Sequence, residues 1–216
     1  MSEPYLASLQ VGLPRTIVAG NSADDPWTTG FYKSAVTGPV QVNATNLEGD
    51  GQADLSCHGG IDKAVLAYSA EHYIAWRNEL GFSEMPHGAF GENLTITNQT
   101  EQNVCIGDQW SCGDVVFQIS QPRQPCWKLA RRWQLAGLPK LVVQSGRSGW
   151  YLRVLAEGEI EAGLNIDLIE RPHADWTVQR ANATMYGHDI LAQRQLASLP
   201  ELSASWKSEM MQKVSD

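Results

Sequence analysis

The sequence predicts a mainly β protein: a barrel with short peripheral helices, followed by a small three-helix segment at the C-terminus. Residues 1–172 break into short apolar stretches separated by Gly and Pro, and the whole chain holds 19 glycines. Only two segments in that range carry helical spacing, and no βαβ rhythm marks a doubly wound sheet. A barrel closes the edges that many short strands would otherwise expose. From Trp176 the texture changes to helix formers, which divides the chain into residues 1–172 and 173–216.

In chain order, YLASLQV, RTIVAG and GPVQVNATNL read as strands joined by turns. Residues 69–80 (SAEHYIAWRNEL) place Tyr73, Trp76 and Leu80 at helical spacing, with Ser69 as N-cap and Gly81 as the stop. GAFGENLTI, VCIGDQWSCGD and VVFQIS return to strand, and the pairs Gly107-Asp108 and Gly113-Asp114 mark tight connections. Residues 127–136 (WKLARRWQLA) form a second short helix ended by Gly137 and Pro139. KLVVQ, GWYLRVL and GLNIDLIE supply three more strands. Helices are predicted over 177–184, 188–198 and 203–213, with Thr177 and Ser203 as caps and Gly187 and Pro200 as separators. This last segment, about 40 residues, is too small to make much core alone, so it packs on the barrel or on a partner.

The length of 216 residues, with 43% hydrophobic and 19% charged side chains, fits one main domain that fills its own core. A net charge of −8 argues against broad binding to nucleic acid or anionic membrane. No apolar run is long enough to span a bilayer, and MSEPYLASLQ lacks a basic and then hydrophobic signal segment, so the expected location is cytoplasmic. Cys57, Cys105, Cys112 and Cys126 show no CxxC spacing and read as free thiols. Neither GxGxxG nor a P-loop occurs, and five histidines without HxH or HExxH leave no conventional zinc site.

The charge is unevenly placed. Residues 1–114 hold 4 basic and 14 acidic side chains, whereas residues 115–156 hold 7 basic ones and no acid: Arg123, Lys128, Arg131, Arg132, Lys140, Arg147 and Arg153. Two readings stand side by side, a positive pocket that concentrates a small anion and a basic face that balances acidic neighbours.

Cys126 lies in QPRQPCWK, where two prolines fix the backbone and Arg123, Lys128 and Arg131 favour the thiolate, as a nucleophile or a soft metal ligand requires. Cys105, between Val104 and Ile106, reads as a buried small hydrophobe; Cys112 falls in a turn region, and Cys57 beside His58 is a weak nucleophile-base pair. In His58-Gly59-Gly60 the glycines permit close backbone approach and their amides suit an anion, although a plain turn has the same composition. Glu92 and Asn93 offer an acceptor and an amide to a heteroaromatic ring. His72 reads as a helix residue facing solvent or a neighbour, and Trp127 as the wall of a pocket.

Taken as an ordered set, HGGIDKAVLAY, FGENL, IGD, QPRQPCWKL and SGWYLRVL resemble the MOSC domain, the molybdenum cofactor sulfurase C-terminal domain, and within it the stand-alone bacterial YiiM-like subgroup with three helices after the barrel. That resemblance implies a MOSC-type β-barrel that binds a pterin-based molybdenum cofactor, with Cys126 as metal ligand and catalytic residue. It also implies reduction of N-hydroxylated compounds such as hydroxylaminopurine, with electrons from an external flavin-containing reductase. Under it, Arg123, Lys128, Arg131 and Arg147 are the candidate phosphate or pterin contacts, and His58, Gly59, Gly60, Glu92 and Asn93 take the opposite side. The chain departs from the subgroup before His58, where Ala53-Asp54-Leu55-Ser56-Cys57 replaces expected lysines. A Cys126 persulfide in sulfur transfer and a non-catalytic cofactor carrier are the alternatives, and a homodimer is among the assemblies the sequence allows.

Overall fold

The computed structural model describes residues 3–18, 26–82 and 84–215. The chain runs β1 (Leu6–Val11), β2 (Arg15–Ile17), β3 (Trp27–Thr29), β4 (Ser34–Ala35), β5 (Val40–Val42), β6 (Val65–Ser69), α1 (Glu71–Leu80) and β7 (Leu94–Ile96). It continues through β8 (Gln109–Cys112), β9 (Val115–Pro122), α2 (Trp127–Trp133), α3 (Leu138–Ser145), β10 (Trp150–Ala156), β11 (Gly158–Ile160) and β12 (Asp167–Glu170) to α4 (Val178–Tyr186), α5 (Ile190–Ala197) and α6 (Ala204–Ser215).

Among the described residues the main sheet has eight strands in the order β12-β8-β9-β10-β6-β7-β1-β4, and β2-β3 and β5-β11 form two small ribbons. The sheet curls so that its ends approach. The Leu6 N–H donates to the Leu164 carbonyl at 2.9 Å, Gly163 N–H to Leu6 at 2.7 Å and Ile166 N–H to Pro4 at 3.0 Å, which joins β1 to the chain entering β12. The strand-rich architecture with three terminal helices is therefore the one expected. RTIVAG and GPVQVNATNL contribute only Arg15–Ile17 and Val40–Val42 to strands, and Ala19 and Gly20 lie outside the described residues. Gly113, at φ 56°, makes the two-residue turn between β8 and β9 that its Gly-Asp pair predicts.

Three local expectations are corrected. KLVVQ is helical: it lies in α3, where Pro139 occupies the first turn and loses no helical hydrogen bond, Leu138 and Val142 bury one face, and Gly146 closes the end at φ 72°. That face packs on Leu129, Tyr68, Trp76 and Phe90, so tertiary contact overrides the β-branched pair. Ser69 is not the cap of α1, because it stays in strand, registered with Ile96 of β7; Ala70 holds the N-cap position. The second helix stops at Trp133, with Gln134 left-handed at φ 51°. The fold also contains one βαβ unit, since β6 and β7 run parallel with α1 crossing between them.

Two of the three C-terminal caps fall where the sequence places them, and Asp189 is an addition. Thr177 accepts from Arg180 N–H at 3.1 Å and Ser203 from Trp206 N–H at 3.2 Å, while Asp189 caps α5 through Ala192 N–H at 3.0 Å. Met185, Leu196, Leu202, Trp206 and Met210 belong to the same buried cluster as Leu6, Trp110, Phe117, Ile119 and Trp150. One core therefore underlies both segments. Among the described residues no helix is long and apolar enough to cross a membrane.

Candidate functional site

A cleft of about 630 Å³, its open mouth included, lies where the chain before β6, the end of β9 and the start of α2 converge. Its first wall is the loop His58-Gly59-Gly60. Gly59 and Gly60 have φ of 81° and 79°, a region closed to most side chains, and a Cβ on Gly59 would sit 3.0 Å from Gln52 Oε1. The loop is anchored by Asp62. Its carboxylate accepts from Arg153 Nε at 3.0 Å and from the Ala204 N–H of α6 at 2.9 Å, and its carbonyl accepts from Ser120 Oγ of β9 at 2.5 Å.

The second wall follows from β9. The strand ends at Pro122, Arg123 bonds back to the Gly149 carbonyl through its N–H at 3.0 Å, and Cys126 becomes the N-cap of α2 in extended geometry. Its thiol makes no capping bond, so the half-buried sulfur is left to line the cleft. Arg123 is 4% exposed. Its Nη2 donates to the Phe90 carbonyl at 3.2 Å, while its Nη1 is buried with no partner among the described residues. A buried guanidinium nitrogen left without an acceptor is costly, and an anion in the cleft would relieve it.

Among the described residues four cations, Lys33, Lys63, Arg123 and Lys128, line the cleft, and no carboxylate does. Burial, followed by Lys128, Lys63 and Arg123, pushes the His58 pKa below the ordinary histidine value, so its ring is neutral at pH 7. The lysines missing before His58 are thus matched by positive charge from other segments. Phe31, Phe90 and Tyr151 add aromatic surface. Arg132 fixes the rim, donating to the Phe31 carbonyl at 2.8 Å and the Gly88 carbonyl at 2.9 Å.

The fold brings Cys126, His58, Gly59, Asn93, Arg123 and Lys128 together on this cleft. Asn93 is also a brace, accepting from Leu66 N–H at 3.1 Å and donating to the Gln10 carbonyl at 3.2 Å. Gly60 is exposed and does not line the cleft, and Glu92 is fully buried, accepting from Tyr73 Oη, Gly88 N–H, Phe90 N–H and Thr95 Oγ1. Glu92 therefore shapes the Gly88-Phe90 turn instead of facing a ring. Arg131 does not line the cleft; it lies over Trp27 and Trp127 at 5.7 and 5.4 Å. Arg147 is elsewhere, forked onto Glu79 at 2.9 and 2.8 Å and stacked on Trp76. Trp127 is not a wall either: it is 55% exposed and leans on Trp27 at 5.6 Å.

Both readings of the basic stretch hold in part, since Arg123 and Lys128 face the cleft while Arg147 and Arg153 pair with Glu79 and Asp62. Cys105 is buried as expected; Cys112 ends β8, where burial pushes its thiol up to about 11. His72 faces a neighbour, Glu101, at 2.6 Å. Sequence reasoning missed Lys33, Lys63, Phe31, Gln52 and Tyr151. The available signal was scarcity: Lys33 and Lys63 are two of only 4 basic residues in the first 114.

Among the described residues no cluster of three or more His, Cys, Asp or Glu side chains is placed to hold a metal ion. A metal here would have to bring most of its ligands with it, and one soft sulfur, a cationic wall and an unpaired arginine nitrogen fit an anionic, ligand-bearing group.

Comparison with known proteins identifies the family and the fold. The MOSC domain model matches residues 54–167, and the YiiM-like, 3-alpha helix domain model matches residues 176–215. An uncharacterized protein, YflK of Bacillus subtilis, is 42% identical over 209 residues, covering 95% of this chain and 92% of its own. A protein of Gibberella moniliformis named reductase is 43% identical over 166 residues, 76% of this chain but only 29% of that one. The crystal structure of YiiM from Geobacillus stearothermophilus superposes with a TM-score of 0.82 at 38% identity, covering 98% of this chain and 99% of that one. The chain therefore belongs to the MOSC domain family, in the branch that carries the YiiM-like three-helix segment.

Proposed function

We propose that this protein is a molybdenum-cofactor-dependent reductase of N-hydroxylated compounds, catalysing R–NHOH + 2e⁻ + 2H⁺ → R–NH₂ + H₂O. The observation that carries the reading is the Cys126 thiol in the wall of a cleft that, among the described residues, holds four cations, no carboxylate and an unpartnered Arg123 nitrogen. When bound, the cofactor supplies a two-electron redox centre on a metal already held by the pterin's sulfurs. Cys126 provides the protein's one soft ligand, and Arg123, Lys128, His58 and the Gly59 backbone hold the anionic end, with Gly60, Glu92 and Asn93 shaping the loops that carry them. Arg147, already forked onto Glu79, has no part in this, and Arg131 acts at the rim. Phe31, Phe90 and Tyr151 keep water away from the reacting bond.

The electrons come from an external flavin-containing reductase. The fold's occurrence as 29% of a longer protein named reductase supports an electron-transfer role. Four unpaired cysteines support a reducing, cytoplasmic setting.

The test uses protein from a host that makes the cofactor. Wild type is expected to carry molybdenum and pterin and to reduce hydroxylaminopurine with an artificial donor, and Cys126→Ser to lose roughly tenfold or more in metal content together with turnover. Unchanged metal and turnover in Cys126→Ser would sink the reading. Sulfane sulfur trapped on a metal-free Cys126 would replace it with sulfur transfer, and tight cofactor binding without turnover would replace it with a carrier.

A further inference from the structure

Resting on that reading, we propose that Lys33 is the proton donor of the site, giving its proton to the hydroxyl oxygen of R–NHOH as the N–O bond breaks, with Asp50 as its positioning group. Two electrons from the external reductase enter the N–O bond, and the oxygen leaves as water after taking the Lys33 proton. The nitrogen takes the second proton from solvent, and the neutral Lys33 amine is reprotonated from solvent through the cleft mouth.

Lys33 lines the cleft although its side chain is only 6% exposed, and its ammonium is hydrogen-bonded to Asp50 Oδ1, a carboxylate with no exposed surface. Asp50 Oδ1 also accepts from Gly12 N–H at 2.9 Å, whereas Asp50 Oδ2 is buried without a partner among the described residues. A buried ion pair satisfied on one side only is a poor stabilising device, and its position on the cleft gives it another use. Burial holds Lys33 below the ordinary lysine range, against the pull of Asp50 and, more weakly, Glu92. Lys63, Arg123, Lys128 and His58 share the cleft with it, and Arg132 anchors the adjoining Phe31 carbonyl. An ammonium so placed surrenders its proton more readily than a surface lysine.

The other groups on the cleft are less suited. His58 is already neutral at pH 7, and burial drives the Tyr151 hydroxyl upward. Lys63 donates to the Cys57 carbonyl at 3.0 Å. Glu92 does not reach the lining.

Two measurements test the assignment. In metal-free protein, ¹⁵N NMR of the lysine Nζ groups, with the Lys33 signal identified by its loss in Lys33→Arg, is expected to show Lys33 titrating below the other lysines, and lower still in Asp50→Asn. In the loaded enzyme, kcat should fall as pH rises through the Lys33 pKa. That limb should move up in Lys33→Arg and down in Asp50→Asn, with molybdenum content unchanged. Lys33→Met should cost on the order of 10²- to 10⁴-fold in kcat. Because that change strands Asp50, the double variant Lys33→Met/Asp50→Asn, which removes both charges, serves as the folded control and should be equally slow. An active wild type whose rate and pH profile are matched by Lys33→Arg and the double variant overturns the Lys33 assignment alone. A molybdenum-loaded wild type that reduces no N-hydroxylated compound overturns the reaction itself and the assignment with it.

Discussion

At the scale of single residues, the cleft is set by polar atoms that the protein leaves unpaired. Arg123 Nη1 has no acceptor among the described residues, so sulfate, whose charge is constant across neutral pH, should bind metal-free protein. Arg123→Met is expected to weaken that binding by roughly tenfold or more in calorimetry, as the loss of a charged hydrogen bond worth about 1.5–3 kcal/mol requires. The pH sign follows from His58, whose pKa is held down by burial and neighbouring cations. A bound anion raises it, so binding takes up a proton, and sulfate affinity should rise as pH falls from 7 toward 5 in wild type. In His58→Gln that slope should flatten; an unaltered slope would separate His58 from the anion. Cys126, Arg123 and His58 were legible in the sequence because each sits in a short unusual motif. Lys33 was marked only by the scarcity of basic residues around it, and FYKSA shows no motif until the fold carries it beside Asp50.

At the scale of elements, the loops owe their shape to contacts made far away in sequence. Gly91 has φ 81°, and a Cβ there would lie 2.9 Å from Phe31 Cδ2. Gly91→Ala should therefore cost about 1–2 kcal/mol in urea unfolding from the left-handed backbone alone, and it should push Phe31 into the cleft, reducing sulfate affinity. Asp62 couples the glycine loop to α6, β9 and β10, an arrangement that HGGIDK by itself does not disclose. The C-terminal caps were readable because capping is local chemistry between a side chain and an N–H three residues on. The α3 helix was misread for the opposite reason: KLVVQ has β-branched residues in a short window, and the buried cluster around Tyr68 and Trp76 decides its state.

At the scale of the whole molecule, the predicted barrel and the three helices are both present, yet they share one hydrophobic core. Removing residues 173–216 would bare the barrel surface that Met185, Leu196, Trp206 and Met210 now cover. The truncated protein should bind hydrophobic dyes and aggregate, and the intact protein should melt in one transition; two separate transitions would contradict the shared core. Closure of the sheet was the part of the architecture that strand patterns alone could not specify, because it depends on Leu6 meeting Gly163 and Leu164. That pairing also sets a timetable for biosynthesis. Residues 34–36 cover the Leu9–Val11 end of that side of the first strand early, but its Leu6 end stays unsatisfied until residues 163 and 164 have left the ribosome, so the nascent polypeptide carries a short open edge, a site for other chains to pair, through most of its translation.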